Sequence, residues 1–459
     1  MLEKNLKQYA KYFKGYTELR VQENQLIALT TVNGNLISNT DYCSKGVSAR
    51  IYKNGSWGFA SAPGHSEETI VQILQYASSN AELLDDMQQL KYDTLSHPAV
   101  SSNNHFKHIN PRRSRGELLD FLMGIDSYMD KKCRKLSSRR MRFKENAIER
   151  NLLTSEGTSA YSLIPNSAIY LDLATEKDGE TTTLMSIIGN CGWADDVFSS
   201  PKNILRLIDE RYEMLLRKSE GIFPEAGLKE CILSQELSAM LAHEAIGHVV
   251  EADCIAGGSI VAGMMDTPIA SPLVTMVDFA NTYNGMTCPM PVYVDDEGIL
   301  AKDAHIIERG ILKSFLHTQE SAVHFGVRPH GNARAAEFCD EPIVRMRNTA
   351  FLPGKDKLEA MIASVEDGYY LAVTGRGMAD GNAEFVFGVG AGYEIKNGKL
   401  GRPIKDTSMS GSGLDVLKSI SMVSDEIKWF GGWLCGKRQS ISIGAGGPAL
   451  KCRLHIGGR

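Results

Sequence analysis

Residues 241–253 read LAHEAIGHVVEAD, and the reading of this stretch governs the rest of the chain. It holds a His-Glu pair, His243 and Glu244, and a second histidine, His248, five positions after the first. A zinc-binding helix commonly carries His-Glu-x-x-His, with the imidazoles four residues apart on one face and the glutamate serving as base. Here Gly247 lengthens the spacing by one. On a regular α-helix, turning 100° per residue, His243 and His248 stand about 140° apart and cannot share an ion. A π-turn accommodates one extra residue, brings i and i+5 onto the same face, and is frequent at functional sites. Glycine lowers the cost of such a distortion. The spacing therefore predicts a π-turn rather than a broken motif. Upstream, Ser234 can cap the helix, with Gln235 and Glu236 in its first turn and Leu237, Met240 and Leu241 at helical apolar spacing. The pattern supports helix to about Val250.

One helix offers only two ligands, whereas catalytic zinc usually has three from the protein and keeps a position for water. Spacing alone leaves the third open. Glu251, three residues beyond His248, is the local candidate, and the remaining histidines and the nine cysteines are distant ones. Glu251 has a second reading, as the carboxylate that fixes the tautomer of a ligand imidazole.

Outward from this helix, strand-like and helical text alternate. ELRVQENQLIALTTVNGNLISNT turns about Asn33-Gly34, and GVSARIYKNGSWGFASA turns about Asn54-Gly55, both strong hairpin signals. Ser66 can cap a helix that carries Ile70, Ile73, Leu74 and Ala77, and a second helix begins near Glu117. Strands are expected at NLLTSEG, SAIYLDLATEK and TTTLMSIIG, and a helix over 202–217. SEGIFPEAGLKE reads as a linker, Asn397-Gly398 as another hairpin, and KDKLEAMIASVED and SGLDVLKSISMV as late helices. The expected class is α+β. We expect subdomains over 1–95 and 96–225, together an α/β-sandwich-like region, and a C-terminal domain over 226–459.

The 459 residues are 43% apolar and 23% charged, ordinary values for a globular protein. A net charge of −5 argues against a dedicated nucleic-acid partner. The basic runs PRRSR (111–115) and KKCRKLSSRRMRFK (131–144) read as a loop and a solvated helix end. No run reaches the roughly 18 apolar residues of a membrane helix, and the start has no apolar secretory core. Nine cysteines without a C-x-x-C pair read as reduced thiols in a cytoplasmic protein, and Cys254 and Cys452 as packing residues. The glycine-rich GSGLDVL and GAGGP lack a phosphate-loop pattern and read as tight turns; VDDEG lacks the alternating ligands of a calcium loop.

Taken with VYVDDEG, ERGILKSFLHTQESA, HGNARA, RMRNTAFLPGK, AEFVFGV, GYEIKNGKLGRPIKD, GSGLDVLKSISMV and LCGKRQSISIGAGGPALK, the stretch LAHEAIGHVVEAD resembles the TldD/PmbA family of metallopeptidases, on the TldD side that keeps His-Glu-x-x-x-His. The resemblance covers nearly the whole chain. It implies that the third ligand is Cys435, in Cys-Gly-Lys, so that His243, His248 and Cys435 hold Zn2+ and Glu244 activates a zinc-bound water. The family usually continues Cys-Gly-Lys with x-Gly-Gln; Arg438-Gln439 makes this chain one residue shorter. It further implies a barrel-like, curved-sheet C-terminal domain carrying the zinc helix, extended peptide substrates bound as an added strand, and a dimer, either homodimeric or with a PmbA/TldE-type paralogue. Older naming ties the family to modulation of DNA gyrase. His330 and Arg334, with His324 in HFGVRPHGNARA, are candidate substrate contacts. The expected function is a zinc-dependent peptidase acting on small or unstructured polypeptides. A thiolate ligand weakens the Lewis acid, so a slow, selective processor is expected. The alternative is a non-catalytic peptide-binding or regulatory subunit of the gyrase-modulator kind.

Overall fold

The structure, a computed structural model, describes residues 2, 5–53, 55–84 and 95–458. Its N-terminal layer is one seven-stranded sheet: β1 (Tyr16–Val32), β2 (Asn35–Lys53), β3 (Ser56–Pro63), β4 (Ser101–His105), β5 (Leu136–Thr154), β6 (Ser159–Lys177) and β7 (Glu180–Cys191). The order is β3-β2-β1-β5-β6-β4, with β7 also pairing β6. The β1–β2 turn has Asn33 at φ 48° and Gly34 at φ 79°, the two left-handed residues that a two-residue hairpin needs. Lys53 pairs with Ser56, so β2 and β3 also form a hairpin, although Asn54 lies outside the described residues. The pairing of β1 with β5 joins 16–32 to 136–154. The expected division near residue 95 thus falls between segments that share one sheet.

Helices cover one face. In α1 (Glu67–Leu84) the Ser66 hydroxyl accepts from the Thr69 backbone N–H at 3.2 Å, and Ile70, Ile73, Leu74 and Ala77 pack on Val47, Ala49 and Ile51. In α2 (Arg115–Lys132) Ser114 and Glu117 form a reciprocal capping box. Leu118, Leu122, Ile125 and Met129 of α2 meet Phe143, Ile169 and Leu171, and so do Ile204 and Ile208 of the helix Pro201–Ser219. The basic run 131–144 is corrected here. Only Lys131 and Lys132 end a helix; from Leu136 the chain is β5, with Met141 and Phe143 buried. Arg140 and Arg142 on the alternate positions hid this period-two pattern; Arg142 lies over the Tyr170 ring, and Arg139, on the face of Met141, pairs with Asp126.

The C-terminal part begins with β8 (Gly227–Leu233), which closes a five-stranded barrel. Around it run β8, Leu450–Ile456, Thr407–Ser412, Glu384–Lys396 and Asp367–Ala379, the last pairing back to β8. A six-stranded sheet stands beside it and ends on the hairpin of Lys428–Lys437 and Gln439–Gly447. The helix from Ser234 runs between barrel and sheet inside the largest apolar cluster, where Leu237, Leu241, Ala245 and Ile246 are fully buried. The chain is α+β, with the barrel-like C-terminal domain that was expected.

Two glycine readings change. Gly444–Gly447 lie within a strand and are not a tight turn. A Cβ there would meet Asn348 Oδ1, the Trp429 ring at 2.8 Å and Ser238 Oγ at 2.5 Å, so close packing demands glycine. Gly413 opens a short helix against Ala245 of the His-bearing turn. VDDEG binds the two layers together. Asp295 accepts from the backbone N–H groups of Glu297, Ile299 and Ala333. Asp296 pairs with Arg20 and Arg150, and Glu297 with Arg50 at 2.6 Å.

Candidate metal centre

The chain from Gln235 to Met240 is α-helical, and Leu241–Gly247 is π-helical. The helix ends there, and residues 248–250 turn rather than continue it. The extra residue per turn does what the spacing requires: the His243 and His248 rings lie 5.1 Å apart, centre to centre. Gly247 admits the close approach of the next layer, since a Cβ on it would stand 2.0 Å from Met346 Sδ.

Cys435 reaches this point from the far edge of the six-stranded sheet. His243, His248 and Cys435 each present a donor atom, and the three atoms lie within 4.8 Å of one another. Cys435 Sγ is 3.2 Å from His248 Nε2. Both ring nitrogens of His243 are buried without a hydrogen-bond partner. Orphaned buried imidazole nitrogens are costly unless something binds them. Two imidazoles and a thiol, convergent and with His243 and Cys435 buried, are the donor set of a tetrahedral zinc site with its fourth position free, and the residues present fit that ion.

The surroundings orient each donor. Glu251, fully buried, has Oε2 2.8 Å from His248 Nδ1, which turns Nε2 toward Cys435. Lys437 Nζ donates to Glu251 at 3.0 Å and to Asp253 at 2.7 Å. Arg345 donates to the carbonyls of Cys435, Lys437 and Gln439, and so braces the hairpin that carries the thiol. Burial pushes the His243 imidazole well below the usual histidine range, helped by His248 and Arg345, which keeps it neutral. Burial also disfavours charge on His248, but hydrogen bonds to Cys435 and Glu251 outweigh it and raise the group to about 10. The Glu244 carboxyl is raised by burial and by Glu251, against the opposing pull of His248; its Oε2 is 3.8 Å from His248 Nε2.

His243, His248, Glu244, Glu251 and Cys435 come together, whereas His330 and Arg334 do not join them. Arg334 is 2% exposed and donates to the carbonyls of Met346 and Ser442, so it ties strands together. His330 is half-buried, and its carbonyl accepts from Arg347. His324 borders a separate cavity of about 540 Å³ with Arg50, Trp57 and Asp253. Cys452 is buried in the barrel core, and Cys254 is half-buried beside Asp253. Lys437 and Arg345 escaped the sequence reading, although both lie in segments that carried the resemblance.

Convergent imidazoles on one helix and a thiol from a distant strand could together hold a metal ion, with a glutamate beside them. Residues 227–452 match the PmbA/TldA metallopeptidase C-terminal domain and residues 17–81 match PmbA/TldA metallopeptidase domain 1. The chain belongs to the PmbA/TldD family of metallopeptidases. A zinc metalloprotease TldD homolog from Saccharolobus solfataricus is 26% identical over 90% of both chains. A metalloprotease TldD homolog from Haemophilus influenzae is 27% identical over 96% of this chain and 93% of its own. Among solved structures, TldE from Thermococcus kodakarensis superposes with a TM-score of 0.75 at 17% identity, covering 98% of each chain. A Thermotoga maritima protein named for modulation of DNA gyrase gives 0.74 at 18%, covering 96% of each.

Proposed function

We propose that the chain is a TldD-type, zinc-dependent peptidase that hydrolyses bonds in small or unstructured polypeptides. The observation that carries this reading is the meeting of three donor atoms, from His243, His248 and Cys435, beside the Glu244 carboxyl, which burial raises above its usual range. His243, His248 and Cys435 would hold the ion. Zinc bound there would act as a Lewis acid and lower the pKa of water at its open position. Glu244 accepts the proton of the attacking water and returns it to the leaving amine; a carboxyl held above its usual range serves both transfers. Glu251 fixes the tautomer of His248, and Lys437 fixes Glu251. The likeness to TldE and the relatives named TldD homolog support a partner of PmbA/TldE type or a second copy of this chain. No helix among the described residues is long and apolar enough to cross a membrane.

Glu244→Gln tests the role of the carboxylate. Cleavage of an unstructured peptide falls by about 10²–10⁴-fold while zinc content stays at the wild-type level. Cleavage at the wild-type rate overturns the assignment.

A further inference from the structure

A cavity of about 160 Å³ has His243 and Glu244 in its wall. A space of about 150 Å³ holds a benzene ring, so this one has room for a single large side chain. Its apolar lining comes from both layers: Met185 and Ile187 of β7, Met240 of the helix, and Phe430, Trp433 and Leu434 of the Cys435 hairpin. The two layers are fixed against each other at this point. Tyr170 Oη donates to the Gly432 carbonyl at 2.7 Å, and a Cβ on Gly431 would stand 2.8 Å from Gly189 O. The cavity is therefore preformed.

Apolar side chains are left half-open beside a charged site. Leu434 is 51% exposed, and Phe430 and Trp433, stacked at 5.7 Å, are only partly covered. Such surface gains when an apolar ligand covers it. Apart from His243 and Glu244, the polar groups of the wall offer little to a charged ligand. Glu236 has both oxygens engaged, by the Thr374 backbone N–H and by Arg211. The Thr374 hydroxyl lies against Met240 Sδ and Gly375 O. Ser186 Oγ, buried and without a partner, is enough for one hydrogen bond but not for a charge.

We propose that this cavity receives the side chain of the substrate residue next to the bond that is cut, and that it selects Leu, Met or an aromatic residue there over charged ones. The inference rests on the peptidase reading and adds the substrate class. Its test uses a pool of acetylated decapeptides of mixed sequence, cleaved by the zinc-loaded full chain and read by mass spectrometry. Apolar residues are enriched on one side of the cut, by about tenfold or more over Asp, Glu and Lys. Ile187→Trp fills the cavity and moves the preference to Gly and Ala. Met185→Ala enlarges it and moves the preference toward aromatic residues. A binding arm needs no turnover: calorimetry with Glu244→Gln compares acetyl-Gly-Gly-Leu-Gly-Gly-amide with its Asp counterpart. The Leu peptide binds about tenfold more tightly, and Ile187→Trp in that background removes the difference.

Cleavage with no preference at either flank overturns the inference and leaves the peptidase reading standing. So does a preference for Lys or Arg, or one that neither Ile187→Trp nor Met185→Ala moves. Failure of the zinc-loaded protein to cut any peptide overturns the peptidase reading; the calorimetric arm then still decides whether the cavity prefers the apolar side chain.

Discussion

Gly247 shows how one residue sets the metal centre. It lies outside the left-handed region, so its backbone freedom is not what the fold uses. Its missing side chain is. Met346 Sδ occupies the space where a Cβ would sit, and Met346 itself is 1% exposed. Gly247→Ala forces Met346 into a filled core and lowers stability by about 1–3 kcal/mol. Urea unfolding measures this, and Met346→Ala in the same background recovers part of the loss; an unchanged midpoint in Gly247→Ala contradicts the packing argument. The insertion of Gly247 was legible in the sequence as a change of helix geometry, but its reason was not, because Met346 is remote in the chain. The same holds for the site as a whole. His243, Glu244, His248 and Glu251 are neighbours in sequence and could be read from it. Cys435 is 187 residues from His248 and was reached only through resemblance. Lys437 and Arg345 act through contacts that no spacing rule reveals.

At the scale of elements, the Cys435 hairpin turns on a single residue. Lys437 pairs with Gln439 across Arg438 alone, and Arg438 takes φ 58°, a conformation usually left to glycine. The turn closes on this single residue, and the thiol faces His248. Hairpins at Asn33-Gly34 and Asn397-Gly398 were legible because the turn chemistry is local. The first half of β5 was not, because alternating arginines masked Met141 and Phe143. The helix Gln319–Phe325 carries a pH-dependent contact at its start: His317, 2% exposed, lies against Phe325 and has Nδ1 3.1 Å from Ser321 Oγ. Burial, with a smaller contribution from His330, lowers this imidazole to about 4. The unfolded chain takes up the proton near pH 6.5 and the folded chain only near 4. Stability from this group is thus complete above pH 6.5 and declines as pH falls toward 4, by at most about 1.4 kcal/mol per pH unit. Stability curves of wild type and His317→Gln recorded over that range converge at low pH. Parallel curves contradict the assignment.

Across the whole molecule, the acidic run Asp295-Asp296-Glu297 locks the N-terminal sheet to the C-terminal part. Arg20, Arg50 and Arg150 come from β1, β2 and β5, and each ends on this run. Arg50 also lies over the Trp57 ring. Because the lock is buried, removing one partner leaves a charge unpaired, a loss of about 3–5 kcal/mol. Glu297→Ala therefore lowers the unfolding free energy by roughly that amount, less what Glu18 still offers Arg50 at 3.5 Å. A loss below about 1 kcal/mol, the range of an exposed pair, contradicts the buried lock. The α+β class was legible from alternating strand and helix text, whereas the lock was not: VDDEG carries no signal of partners more than a hundred residues away. The same N-terminal sheet carries β7, whose Gly189 packs against Gly431 of the Cys435 hairpin.

We propose that His243, His248 and Cys435 together hold one zinc ion. Metal content after dialysis against a weak chelator, compared between wild type and Cys435→Ser, tests it most directly. About one zinc per chain is expected in the wild type and loss of it in the variant, with the fold retained by circular dichroism. Equal zinc in the two proteins, or none in the zinc-supplied wild type, would contradict it.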